Sequence, residues 1–228
     1  RRAQRTVRLR TRAGLVVVAG DLPWAAPGID LGSAHPTSRA VEDIATGRAA
    51  IAAIARNAGA VVTCVNAGME QSSPAALPVF ADLANPAISV GHALEAGVAV
   101  ATAVAESCDV VAVGALGLGV ESAATVLVQH RWPALASLVA PTDASWLARC
   151  QSAGSSLDAT AQLQAWPIAV LAGILLASAA YQVPVLLDGA ATLAAAGLAC
   201  ELAPDAVQAL IATQRGGGPA LLAAWAQL

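Results

Sequence analysis

Three glycines, Gly114, Gly117 and Gly119, follow the apolar run "DVVAV" and precede the helix-like segment "ESAATVLVQH" (121–130). Glycine lets a backbone bend and approach a ligand closely, and the first turn of a following helix offers unpaired N–H groups and a positive dipole end. That chemistry suits a phosphate, with Gly117, Leu118 and Gly119 as its cradle. The spacing G-x-x-G-x-G is neither the dinucleotide fingerprint nor a P-loop, which carries a lysine, so a purely structural turn stays open as the other reading. Two carboxylates stand at comparable places: Asp21 ends "VVVAGD" and Asp188 ends "VPVLLDG". Each is a candidate catalytic or ligand-orienting group on the rim of a sheet, and each also suits the N-cap of a following helix. His35, in "GSAHPTS", sits before a helix and is placed to face the same rim.

The other reactive side chains are dispersed. Cys64, Cys108, Cys150 and Cys200 lie far apart in or beside apolar segments with no CxxC pair, and His92 and His130 are as scattered as His35. Buried free thiols in a reducing cytoplasm are expected, with no metal site and no cofactor. Glu42, Glu95, Glu106 and Glu201 fall in or at the ends of helical segments and read as solvated faces.

These residues need a frame, and the chain supplies one by alternation. "GLVVVAG" (14–20), "AVVTCV" (60–65), "DVVAVG" (109–114) and "VPVLLDG" (183–189) are continuous apolar runs, the pattern of strands buried on both faces. Between them, 38–59, 88–107, 121–130 and 161–181 read as helices, and "GAATLAAAGLA" as a helix after the last strand. The expected fold is α/β: a doubly wound parallel sheet flanked by helices, Rossmann-like and three-layered, in one domain over 1–228 with 1–13 as a basic arm. Ligands of such sheets gather beyond the carboxyl ends of the strands, where Asp21, Gly114 and Asp188 lie. Residues 66–87 and 131–146 read as irregular connections, the first long enough for a functional loop.

Composition narrows the partners. The net charge is −3, and six of the twelve arginines lie within the first twelve residues of a chain that has no lysine. An acidic balance argues against a nucleic-acid binder, and the arm reads as a solvated segment. Mean hydropathy of +0.65 raises the question of a membrane. The candidate span, 165–187, is alanine-rich and interrupted by Gln182 and Pro184, so it reads as a buried helix followed by a buried strand. No membrane partner and no secretory leader are expected.

Taken in order, the segments resemble the nicotinate-nucleotide:dimethylbenzimidazole phosphoribosyltransferase family. "LVVVAGDLPWAAPGI" is similar to the family's first strand and aspartate turn, and "SAHPTSRAVEDIATGRAAIAAIARNAGAVVTCVNAG" to its Ser-x-Tyr-Pro-Gln segment, helix and second strand. "NPAISVGHALEAGVAVA" resembles its Pro-Ala-Met-Thr helix start, "DVVAVGALGLGVESAATVL" its Gly-Glu-Met-Gly-Ile-Gly-Asn-Thr-Thr loop, and "VPVLLDGAATLAAAGLACELAP" its Leu-Asp-Gly strand and helix. The resemblance implies transfer of phosphoribosyl from nicotinate mononucleotide to a benzimidazole-type base in the making of the cobalamin lower ligand. It implies phosphate at Gly117, Leu118 and Gly119, an acceptor pocket at His35 and Glu42, Asp21 and Asp188 at the rim, and a homodimer.

The departures bear on activity. The family's loop glutamate is Ala115 here, Asn-Thr-Thr is Val120-Glu121-Ser122, and an anion at Glu121 would repel a phosphate placed at the helix start. Its Tyr-Pro-Gln is His35-Pro36-Thr37, and its lysine before the central helix has no counterpart, Arg149 being the nearest cation. The Arg-Leu-Gly-Glu-Gly-Thr-Gly segment that carries the family's catalytic base has no equivalent in "GGGPALLAAWAQL", so the catalytic residue is left unassigned. An inactive paralogue that binds a nucleotide or cobamide precursor, or pairs with an active partner, is the alternative reading.

Overall fold

The computed structural model describes residues 11–25, 35–70, 73–78, 89–134, 144–213 and 226–228. Strands β1 (Ala13–Ala19), β2 (Val61–Asn66), β3 (Leu77–Pro78), β4 (Val110–Leu116), β5 (Val185–Leu187) and β6 (Leu210–Ala212) form one sheet in the order β3-β2-β1-β4-β5-β6. Every neighbouring pair is parallel, with Gly14 opposite both Val61 and Val111. Chain connections run outward from β1 in one direction and from β4 in the other, so the switch point of the topology lies between these two strands.

The four long apolar runs form β1, β2, β4 and β5, as their pattern predicts. Two short edge strands, β3 and β6, complete the sheet. The expected helix over 38–59 is two helices, α1 (Pro36–Ala45) and α2 (Ala50–Ala58). Gly47 at φ +80° turns the chain between them. The expected helix over 161–181 is likewise broken, into α6 (Ser156–Gln162) and α7 (Trp166–Ala180). Gln164 there takes φ +51°, and Pro167 in the first turn of α7 has no N–H to continue the earlier helix. The remaining helices are α3 (Val90–Ala105), α4 (Val120–Arg131), α5 (Ala144–Arg149) and α8 (Gly189–Leu202), and a 3₁₀ turn spans Pro204–Ala209.

One face of the sheet carries most of the core. Val16, Val18, Val65, Val111, Val113, Val185 and Leu187 project onto α3, α4, α7 and α8. Leu171, Ile174, Leu175, Leu193 and Leu198 are sealed there, each contributing about 1.5–3 kcal/mol of transfer free energy. Helices α3 and α7 meet backbone to backbone: a Cβ on Gly97 would fall on the Val170 carbonyl, and one on Gly173 on that of Leu94. Burial of α7 nearly all round is why 165–187 reads as so apolar, and no described helix is long and apolar enough to cross a membrane. The opposite face is thinner. There α1 and α2 cover Val17, Ala19 and Cys64 with Val41 and Ile44, toward the β2 side.

Of the expected basic arm, residues 1–10 lie outside the described residues. Arg12 docks on Asp109 at 2.9 Å, and Ala13 opens β1. The guanidinium holds the Asp109 carboxyl below its usual range. Cys64, Cys108 and Cys150 are buried free thiols and Cys200 is half-buried; burial pushes Cys150 up to about 11. Glu201 departs from the solvated-face expectation. Its carboxylate accepts the Ser156 N–H at 3.1 Å and hydroxyl at 2.6 Å, and so caps α6.

Candidate active site at the carboxyl edge of the sheet

Three turns converge beyond the carboxyl ends of β1, β2 and β4. The Gly20 and Leu22 N–H groups donate to the Leu116 and Leu118 carbonyls, while the Asp21 N–H donates to Gly68 O at 2.9 Å. Asn66, buried at the end of β2, shapes the second turn by accepting the Gly68 and Met69 N–H groups on Oδ1 at 3.1 and 2.8 Å. Backbone pairing alone therefore ties the Asp21 turn to both of its neighbours.

The Asp21 side chain finishes the knot. Oδ1 accepts the Leu118 N–H at 2.9 Å and the Thr37 hydroxyl at 2.5 Å, and Oδ2 accepts the Glu70 N–H at 3.0 Å. The carboxylate is 5% exposed and is met by donors from α1, the β2 turn and the β4 turn. His35, the residue before α1, is buried beside it, with Nε2 3.8 Å from Asp21 Oδ2 and 3.4 Å from Glu70 Oε2. Neither imidazole nitrogen has a hydrogen-bond partner, a state that costs on the order of 1–3 kcal/mol for an ordinary buried polar group.

The glycine turn is demanded by packing. A Cβ on Gly117, at φ +141°, would fall on the Gly20 carbonyl oxygen. One on Gly119, at φ +79°, would stand 2.7 Å from Ala25 Cβ and 2.9 Å from Trp146 Cη2. Gly119 is also the N-cap of α4 and supplies no side-chain acceptor, while Glu121 sits exposed in the first turn. Above this turn, the Arg149 guanidinium stacks on Trp24 with 3.7 Å from Cζ to the ring centroid. Arg149 thus covers Trp24, three residues past Asp21.

Asp21, His35 and the 117–119 turn come together in one node; Glu42 and Asp188 stand apart from it. Glu42 is exposed on α1. Asp188 occupies the N-cap position of α8 without a side-chain cap bond and lines a groove of about 410 Å³ with Ile44, Gly114, Ala115, Leu116 and Thr213. That groove runs along β4 and β5 on the thinner face of the sheet. Sequence reasoning missed Thr37, Asn66 and Glu70. A usable clue for the last two was their position just past an apolar strand, the place that singled out Asp21. Among the described residues, no three His, Cys, Asp or Glu side chains converge as a metal site.

The chain has known relatives. A family model described as phosphoribosyltransferase matches residues 2–228. The nicotinate-nucleotide–dimethylbenzimidazole phosphoribosyltransferase of Roseiflexus castenholzii is 31% identical over 230 residues, covering 88% of this chain and 65% of that protein. The protein of the same name from Xanthomonas euvesicatoria pv. vesicatoria is 31% identical over 245 residues, covering 93% and 70%. The crystal structure of CobT from Thermus thermophilus superposes with a TM-score of 0.72 at 28% identity, covering 88% of this chain and 69% of that one. The chain spans about two thirds of the length of the curated relatives it matches. With its sheet order, its switch-point node and the match over residues 2–228, the chain belongs to the phosphoribosyltransferase family whose curated members include these nicotinate-nucleotide–dimethylbenzimidazole enzymes.

Proposed function

We propose that the chain carries the nucleotide-binding sheet of a phosphoribosyltransferase that moves phosphoribosyl from nicotinate mononucleotide to a benzimidazole-type base, a step in making the cobalamin lower ligand. One observation supports this reading most: the Asp21 turn and the Gly117–Gly119 turn are bonded to each other at the switch point between β1 and β4. Parallel α/β sheets bind their ligands there.

In this reading the phosphate sits at the start of α4, against the 117–119 turn. The Leu118 N–H is already given to Asp21, so its part is to fix the turn, and the N–H groups of the first α4 turn face the phosphate charge. Glu121 weakens that site by like-charge repulsion. The benzimidazole lies toward the His35 end of the node, apart from exposed Glu42 and from the groove that reaches Asp188. Free thiols fit a cytoplasmic enzyme, and exposed Ile51 and Ile54 on α2 offer an apolar patch for a homodimer. The inactive-paralogue alternative draws no support from the relatives named above, which carry an enzyme's name.

Isothermal titration with nicotinate mononucleotide, followed by turnover with dimethylbenzimidazole in the same sample, tests the reading. Saturable heat and formation of the benzimidazole nucleotide are expected. Absence of both at millimolar ligand overturns it.

A further inference from the structure

Helix α5 is a short element held down at two points. Among its described side chains Trp146 alone is buried, while Ser145, Leu147, Ala148 and Arg149 are exposed. Six residues are too few to keep helical form without tertiary support. The first support is Trp146, whose ring fills the space beside Gly119, the N-cap of α4; a Cβ on that glycine would lie 2.9 Å from Cη2. The second is Arg149, stacked on Trp24 at 3.7 Å, which ties α5 to the segment that follows the Asp21 turn. The tie is not a sealed one, because Trp24 Nε1 is buried with no hydrogen-bond partner. Cys150 follows α5 directly and is buried, with Sγ 3.8 Å from the Ala159 carbonyl oxygen.

From these contacts we infer that α5 is a cover on the glycine turn, latched by Arg149 on Trp24, that lifts to admit a ligand to the start of α4. The cover rests on the contacts alone, and the identity of its ligand rests on the phosphoribosyl-transfer reading above. A ligand set against the 117–119 turn has to enter the space beside Gly119, and Trp146 fills that space in this structure. Elements with few buried side chains open ahead of global unfolding, and α5 has one such side chain and one stacked cation to hold it. A guanidinium on an indole face is a weak enough fastening to be released by a bound ligand, and a strong enough one to keep the cover shut without it. Lifting α5 carries Cys150 out of its buried place, so this thiol reports the opening.

The test uses the full chain and iodoacetamide, with alkylation followed cysteine by cysteine by peptide mass spectrometry. Arg149→Met keeps the aliphatic bulk and drops the guanidinium; it is expected to speed alkylation of Cys150 by roughly 2- to 30-fold and to leave Cys64 and Cys108 at wild-type rates. Loss of a neighbouring cation disfavours the thiolate and by itself slows alkylation, so a faster Cys150 reports opening. Trp24→Leu removes the other half of the latch and should give the same selective rise. In wild type, saturating nicotinate mononucleotide should also speed Cys150 alone. No change at Cys150 in either variant, or an equal rise at Cys64 and Cys108, overturns the cover. So does nucleotide that binds with measurable heat and slows Cys150 or leaves it unchanged. Absence of nucleotide heat beside a selective rise in both variants overturns the functional reading and upholds the cover.

Discussion

Asp21 accepts the Leu118 N–H on Oδ1 at 2.9 Å across 97 residues of sequence. The anion that the glycine turn holds through this amide is thus one of the protein's own. Asp21→Ala strands three donors, the Leu118 and Glu70 N–H groups and the Thr37 hydroxyl, and is expected to cost roughly 2–5 kcal/mol in urea unfolding. Asp21→Asn retains one acceptor oxygen and should cost about half as much. Equal stability of Asp21→Ala and wild type would show that the node does not hold the turns together.

Two glycines of one motif should respond in opposite ways. Gly117→Ala drives a methyl group onto the Gly20 carbonyl at φ +141° and is expected to cost about 3 kcal/mol or more, or to prevent folding. A Cβ at Gly114 meets nothing within 4 Å, so Gly114→Ala should stay within about 1 kcal/mol of wild type. Thermal melts of the pair separate a packing requirement from a general need for glycine.

Glu121 pairs its charge with the N-terminal dipole of α4, where the phosphate is proposed to lie. Glu121→Gln is expected to tighten nicotinate mononucleotide binding by about two- to fivefold at low salt and to lower stability by roughly 0.3–1 kcal/mol. Titration at two ionic strengths checks this, since the gain should shrink with added salt.

Burial raises the Cys150 thiol from 9.0 to about 11, so the folded state holds this proton more tightly than the unfolded chain does. Its contribution is complete below pH 9.0 and is lost as the pH climbs toward about 11. Urea midpoints should fall across that window in wild type and fall less in Cys150→Ala. At pH 8, iodoacetamide should label half-buried Cys200 before Cys64, Cys108 or Cys150.

Four of the six strands were legible because strands buried on both faces are written as unbroken apolar runs. The edge strands Leu77–Pro78 and Leu210–Ala212 are too short to show a pattern, and only pairing with β2 and β5 defines them. The helix breaks at Gly47 and Gln164 were hidden because alanine-rich sequence keeps its helical character through a single residue at positive φ. Asp21 and the glycine turn could each be picked out from their place at a strand end. Their mutual bond could not, since nothing local joins residues so distant. Glu70 was lost in a segment with no period, and the buried state of His35 depends on Asp21 and Glu70 closing around it.

The register that sets Gly14 against Val111 also sets a clock. As the chain leaves the ribosome, β1 can pair with β2 early, but its other edge stays open until a further stretch of nearly one hundred residues has been made. At about 5–20 residues per second, that interval is roughly 5–20 s. Throughout it the apolar edge "LVVVA" is exposed to any neighbouring strand, so the yield of folded protein should depend on how quickly β4 arrives. Synonymous slow codons placed between β2 and β4 would lengthen the exposure and divert chains to aggregates without altering one residue of the finished molecule.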